Sequence, residues 1–234
     1  MLQRISVARR TKEDALATRN ALLDAAECLF QTQGVSRTSL QDIARHAGAT
    51  RGAVYWHFKD KADLFNAMME RVTLPMECCG SDAEGDVSIM EIEAPALERM
   101  RELALNVLGQ IVHDPQTRRV FEVATQKVEY VEELHAVRSR HLSARNNFVR
   151  LMDKSMETAA RQGDIKLPVA TSIAAQGFHA LIDGLIQTWL LDPPAFDLLE
   201  IGQSAIDVYL HGLGLGNRLQ PQNGAHAASS QSKA

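Results

Sequence analysis

The stretch from Thr38 to Lys61, TSLQDIARHAGATRGAVYWHFKDK, constrains the fold more than any other part of this 234-residue sequence. Thr38 offers a side-chain oxygen to cap a helix, and Gln41 stands three residues on, where a capping box needs a reach-back partner. Ile43, Ala44 and Ala47 follow at helical spacing, and Gly48 stops the helix where a left-handed backbone is required. Thr50 opens a second helix, with Val54 and Phe58 one turn apart on its inner face. Ala44 falls where the two helices touch, so only a small side chain fits. The spacing Ala44, Gly48, Val54 is that of a helix-turn-helix, whose second helix enters the DNA major groove.

The chemistry of the second helix suits a phosphate-lined groove. Its first turn presents Thr50, Arg51 and Gly52 at the positive end of the helix. Tyr55, Trp56 and His57 follow, and Lys59 and Lys61 close the segment. Arginine reads guanine edges with two hydrogen bonds, while tyrosine, histidine and lysine suit phosphate oxygens. The candidate contacts to double-stranded DNA are Thr38, Ser39, Thr50, Arg51, Gly52, Tyr55, Trp56, His57 and Lys61. The competing reading is a surface helical hairpin whose aromatics pack on the next helix.

The run GVSRTSLQDIARHAGATRGAVYWHFKDKADLF closely resembles the N-terminal domain of TetR-family transcriptional repressors. The opening ARRTKEDALATRNALLDAAECLF is similar to the AcrR-type branch, which controls multidrug efflux pumps. The resemblance is dense over 8–75 and thinner through TRRVFEVATQKVEY and IDGLIQTWLLDPPAFDLL. It implies a repressor that binds a palindromic operator as a homodimer and is released by a small hydrophobic or amphipathic effector. In that branch the eighth helix faces the ligand cavity. Carried over residue by residue, the implied cavity positions are Met100, Leu103, Val107, Phe121, Thr125, Phe148, Met152, His179, Asp183 and Gln187. The branch often has a polar residue where this chain has Phe121, so that wall is drier. Asp183 stands in the apolar run ALIDGLI, where a carboxylate needs a partner, a ligand or an interface. For each apolar position, plain core packing is an equal alternative.

Charge divides the chain in the same place. Residues 1–62 carry ten Lys/Arg and six Asp/Glu, a net +4, and the rest carry 15 and 23, a net −8, together the −4 of the whole. A basic head on an acidic body is what a DNA-binding module and a non-DNA-binding remainder need. The expected division is a helix-turn-helix domain over 1–60, a helical effector-binding and dimerisation domain over 61–215, and a disordered polar tail over 216–234. The opening residues 1–7 read either as a short disordered arm or as an over-extended start ahead of Val7.

The remaining pattern is helical throughout, giving an all-α fold with no alternating strand signal. A bracing helix is expected from about Ala15 to Gln33, with Cys28 as a small buried residue. A fourth helix carries Leu64, Phe65, Met68 and Val72 and reads as the mechanical link between head and body. Further helices are expected over 94–113, 116–124, 126–162, 168–191 and 195–213. Ala170, Ala174, Gly177, Leu181 and Gly184 form a small-residue stripe, and Leu199, Ile206 and Leu213 recur every seven residues with Gly202 and Tyr209 between. Such stripes suit a homodimer through the last two helices or, as readily, packing within one chain.

Other classes find little support. No uninterrupted apolar run is long enough to span a membrane, and no apolar core of a secretion signal follows the N-terminal basic residues, so the expected location is the cytoplasm. Cys28, Cys78 and Cys79 do not make a disulfide framework; the last two lie in an acidic 77–93 loop, where a redox or soft-metal role is the weaker reading. The histidines show no metal-ligand spacing, and neither a nucleophile motif nor a cofactor loop is present, so no metal, cofactor or enzymatic activity is expected. A protein-responsive adaptor, or a regulator of another pathway, stays open as an alternative.

Overall fold

A computed structural model describes residues 2–72, 96–129 and 134–216. The acidic 77–93 loop with Cys78 and Cys79, and the tail beyond Gly216, lie outside the described residues. The described chain is helical without strands: α1 (Leu2–Gln33), α2 (Leu40–His46), α3 (Arg51–His57), α4 (Lys61–Met69), α5 (Ala96–His113), α6 (Pro115–Gln126), α7 (His135–Gly163), α8 (Thr171–Leu191) and α9 (Leu198–Gly212). A 3-10 turn, Pro193–Ala195, separates α8 from α9.

The head forms where α1 packs on α2, α3 and α4. Its core joins Leu22, Ala26 and Phe30 to Ile43, Val54, Phe58 and Phe65, with the Phe30 and Phe65 rings 6.0 Å apart. Ala44 is buried at the α2–α3 contact, and Gly48 takes φ +65°, so the small residue and the glycine stand where the turn requires them. The cap lies one residue later than expected. Ser39 is the N-cap of α2: its Oγ accepts from the Asp42 amide at 3.1 Å, and the Asp42 carboxylate accepts from the Ser39 amide at 3.2 Å. Thr38 is instead 1% exposed, its hydroxyl donating to the Gly34 carbonyl at 2.8 Å. Thr50 caps α3 and Asp60 caps α4, each through a side-chain oxygen on an amide three residues ahead.

Three other boundaries differ from the sequence reading. Helix α1 begins at Leu2, so residues 2–7 of the stretch read as an arm are helical. Helix α4 ends at Met69, short of Val72. The long helix expected from 126 is interrupted: α6 stops at Gln126 because the Lys127 carbonyl turns to accept the Val35 amide at 3.0 Å, and α7 starts at His135. Cys28 is half-buried and free rather than buried.

The body is built on α5, α7, α8 and α9. Helices α7 and α8 lie against each other, α5 and α8 both pack on α9, and α5 also packs on α7. Arg101 on α5 clamps Asp207 on α9 with bonds of 2.6 and 2.8 Å. Arg118 caps the carbonyl end of α5 and lays its guanidinium over Trp189 of α8, 5.0 Å from the ring centroid. Head and body meet along α1–α6 and α4–α7.

Candidate nucleic-acid interface and effector site

Helix α3 buries Val54 and leaves Arg51, Tyr55 and Trp56 exposed. Tyr55 is 50% and Trp56 72% exposed, and neither an apolar contact nor burial accounts for two aromatic rings there. The Arg51 guanidinium sits 5.5 Å from the Tyr55 ring, so the base-reading and phosphate-binding candidates form one surface with exposed Thr50 and Gly52. His57 stacks edge-on against Trp56 at 4.5 Å. Burial, and then the Arg19 charge, lower its pKa. Ser39, at the head of α2, is exposed on its own capping box.

Two expected contacts are turned away from this surface. Thr38 is enclosed, for the reason given above. Lys61 is half-buried, with its ammonium on the carbonyls of Val35, Ser36 and Thr38 at 3.0, 3.3 and 3.3 Å. Those three acceptors match the three donors of an ammonium, so Lys61 ties the α1–α2 turn to α4 rather than reaching outward for phosphate. A residue missed in the sequence is Arg45, whose side chain is exposed and pairs with Asp42 on α2. Its signal was a basic residue one turn before Gly48.

In the body, Met100 and Val107 of α5, Phe121 of α6, and Phe148 and Met152 of α7 are buried in one continuous apolar cluster, with Leu103 half-buried beside it. The Thr125 hydroxyl donates to the Phe121 carbonyl of its own helix at 2.9 Å. Helix α8 sends His179 against the Phe148 ring at 5.8 Å, edge to face. One turn on, the Asp183 carboxylate accepts from Gln187 at 3.0 Å. The Gln187 carbonyl in turn accepts from Gln126 of α6 at 3.2 Å. The carboxylate that needed a partner therefore has one, and it lies in an electrostatic neighbourhood with His141, Arg145 and His179. Sequence reading missed His141 and Arg145; their spacing of four on a helix otherwise facing α8 was the available signal.

The small-residue stripes serve the single chain more than an interface. A Cβ on Gly177 would stand 2.4 Å from the Tyr209 hydroxyl, and one on Gly202 would stand 2.2 Å from Leu108 Cδ1. Ala174, Ile206 and Leu213 are buried inside the body, and Tyr209 donates to the Ala174 carbonyl at 2.7 Å. Two members of the stripe, Ala170 and Gly184, stay exposed, and beside them α8 and α9 leave Ile173, Leu191, Ile201 and Val208 exposed.

The head matches the bacterial regulatory proteins of the tetR family over residues 22–68, and the body matches the C-terminal region of MAATS-type transcriptional repressors over 95–214. A helix-turn-helix head on a helical body defines a DNA-binding transcriptional regulator. The chain belongs to the TetR family. It is 36% identical over 212 residues to the HTH-type transcriptional regulator TtgR of Pseudomonas putida, covering 91% of this chain and 99% of TtgR. Among solved structures it resembles NalD, the secondary repressor of the MexAB-OprM multidrug efflux pump in Pseudomonas aeruginosa. The identity there is 36% and the TM-score 0.72, over 86% of this chain and 97% of NalD. It also resembles the SmeT–triclosan complex, with 28% identity and a TM-score of 0.67 over 83% and 90%. No helix among the described residues is long and apolar enough to cross a membrane.

Proposed function

We propose that this chain is a cytoplasmic, homodimeric repressor that binds a palindromic operator and leaves it when a small hydrophobic or amphipathic effector enters the body. The observation that carries the reading is the outward face of α3, where Arg51, Tyr55 and the 72%-exposed Trp56 stand together. Two such helices enter successive major grooves about 34–36 Å apart. The head, over 1–60, supplies the operator contacts from Ser39, Thr50, Arg51, Gly52, Tyr55, Trp56 and His57. The body, over 61–215, supplies the effector site along Met100, Leu103, Val107, Phe121, Thr125, Phe148 and Met152, with His179, Asp183 and Gln187 as its polar side. Release needs only that the effector prefer the state that binds DNA poorly. Efflux genes are the targets favoured by the likeness to NalD, and an aromatic effector is favoured by the likeness to SmeT bound to triclosan.

The exposed residues Ile173, Gly184, Leu191, Ile201 and Val208 of α8 and α9 form the dimer face in this reading. Sequencing genomic DNA captured by the purified protein tests the proposal: a two-fold repeated site upstream of transport genes is expected. Arg51→Ala should relax the base preference within each half-site, and Tyr55→Ala should weaken binding to every sequence alike. Capture of random DNA by wild type overturns the reading.

A further inference from the structure

Helix α1 turns Leu22, Leu23, Ala26 and Phe30 inward, and the position one turn before that stripe is held by Arg19. Its guanidinium lies over the Phe58 ring, 5.3 Å from the centroid, and Phe58, the C-cap of α3, is 2% exposed. Two more rings continue the row: His57 stands 6.1 Å from Phe58 and 4.5 Å from the exposed Trp56. The His57 pKa is lowered by burial and then by the Arg19 charge, so the two groups are electrostatic neighbours. Arg19 thus ends a row of rings that begins on the outward face of α3. Among residues 12–72 three lysines or arginines are half-buried: Arg19, Lys61 and Arg71. Lys61 is matched by three carbonyls, and Arg71 by Asp24 and Glu27. Arg19 has neither a hydrogen bond nor an ion pair among the described residues; the Phe58 ring is its partner.

Packing alone does not call for a charge at that position. A long basic side chain seals the edge of a core with its stem and leaves its head loose in water. A guanidinium seated on a ring is instead fixed in direction, and the stack uses its face while the N–H edge stays available. That edge carries donors that no acceptor in the protein takes, and a phosphate offers two oxygens at the matching spacing. We propose that Arg19 binds a backbone phosphate of the operator beside the C-terminal end of α3, so that α1 holds DNA as well as α3. This inference rests on the operator-binding reading above. Phe58 is the positioning residue: it orients the guanidinium before DNA arrives, so less side-chain freedom is lost on binding. The contact carries no base preference and fixes register, while Arg51 reads the bases. Glu27, eight residues further along the same helix, is bonded to Gln116 of α6. Arg19 and Glu27 lie about 12 Å apart along the helix axis, so one rigid element touches phosphate near one end and the body near the other.

The test measures the affinity of full-length protein over a range of salt, on a duplex carrying the captured operator and on the same duplex shuffled. Arg19→Met keeps an unbranched chain against the Phe58 ring and removes the charge. The expected result is binding about tenfold weaker per protomer on both duplexes, with the slope of log affinity against log salt shallower by about 0.9 per protomer. Arg19→Lys keeps the charge without the two-donor edge, so it should hold the wild-type slope and lose part of the affinity. A second measurement needs no variant. Phenylglyoxal labels accessible arginines, and peptide mass spectrometry should find Arg19 labelled in free protein and protected in the DNA complex, with the exposed Arg138 of α7 labelled in both. A wild-type salt slope in folded Arg19→Met, or Arg19 labelling unchanged by DNA, overturns the inference and leaves the operator reading standing. If Arg19→Met does not fold, the labelling decides. If wild type binds both duplexes alike, the operator reading falls and the slope on the shuffled duplex still decides Arg19; if it binds neither, both fall.

Discussion

Arg71 Nη1 donates to Glu27 Oε1 at 2.8 Å, which joins the chain just past the end of α4 to a carboxylate 4% exposed near the C-terminal end of α1. The same carboxylate accepts from Gln116 at 3.1 Å and lies 3.9 Å from the Arg119 guanidinium, both on α6. Gln31 adds a bond to Glu122 of α6 at 2.9 Å. The fourth helix is therefore not the sole mechanical link between head and body. A buried carboxylate ties three helices at one point, and α6 reaches the head directly.

Removing that charge should be costly. Glu27→Gln leaves Arg71 with Asp24 alone, 2.6 Å away, and takes from Arg119 the carboxylate 3.9 Å from it; breaking a buried pair typically costs about 3–5 kcal/mol, discounted here to roughly 1–2 because both arginines reach solvent and Arg71 keeps a partner. Denaturant unfolding measures the loss. In parallel, operator release should need more effector, because a displacement of α6 loses one of its links to α1. Wild-type unfolding and wild-type release together would show the network to be passive.

Lys61→Met should lower the melting temperature and leave the salt dependence of operator binding unchanged, since the ammonium serves three carbonyls of the α1–α2 turn. A salt slope shallower by about one ion would instead place Lys61 on a phosphate.

Glycines separate the dimer face from the core. Gly184→Arg enters open space on α8 and should yield a folded monomer by sedimentation. Gly202→Ala meets Leu108 at 2.2 Å and should cost about 1–3 kcal/mol of stability through overpacking, with the dimer intact once folded. A dimeric Gly184→Arg would move the interface elsewhere.

Acid should weaken the body before its carboxylates titrate. His141 and His179 both have pKa values below the ordinary 6.5, first because burial disfavours their charged forms. As pH falls below about 6.5 the unfolded chain binds protons that the folded chain refuses, so stability is full above that value and is lost as pH drops through the folded pKa values. Melting curves from about pH 7.5 to 5 should show the decline, and His179→Phe should flatten it. A slope unchanged in the variant would remove His179 from the account.

Much of this arrangement was legible in local chemistry. Gly48 needed a left-handed backbone and Ala44 a small side chain, and both requirements follow from a few neighbouring residues. Thr38 against Ser39 was not decidable that way, because either hydroxyl can cap a helix; Thr38 instead donates to the half-buried Gly34 carbonyl. The stripes on α8 and α9 carried the right spacing but no information about which partner they meet: Tyr209 and Leu108 of the same chain fill the places at Gly177 and Gly202, while Gly184 stays open.

The bond from the Val35 amide to the Lys127 carbonyl, just after Gly34 at φ +85°, is made by main chain alone. Exchanging one side chain for another at either end leaves it in place, and among the coded residues only proline at position 35 deletes the donor. A valine codon reaches a proline codon only through more than one base change. Random single-base mutagenesis that selects for repressors deaf to their effector will therefore return Glu27, Arg71 and their neighbours, and will reach this strut between head and body only through the strained backbone at Gly34.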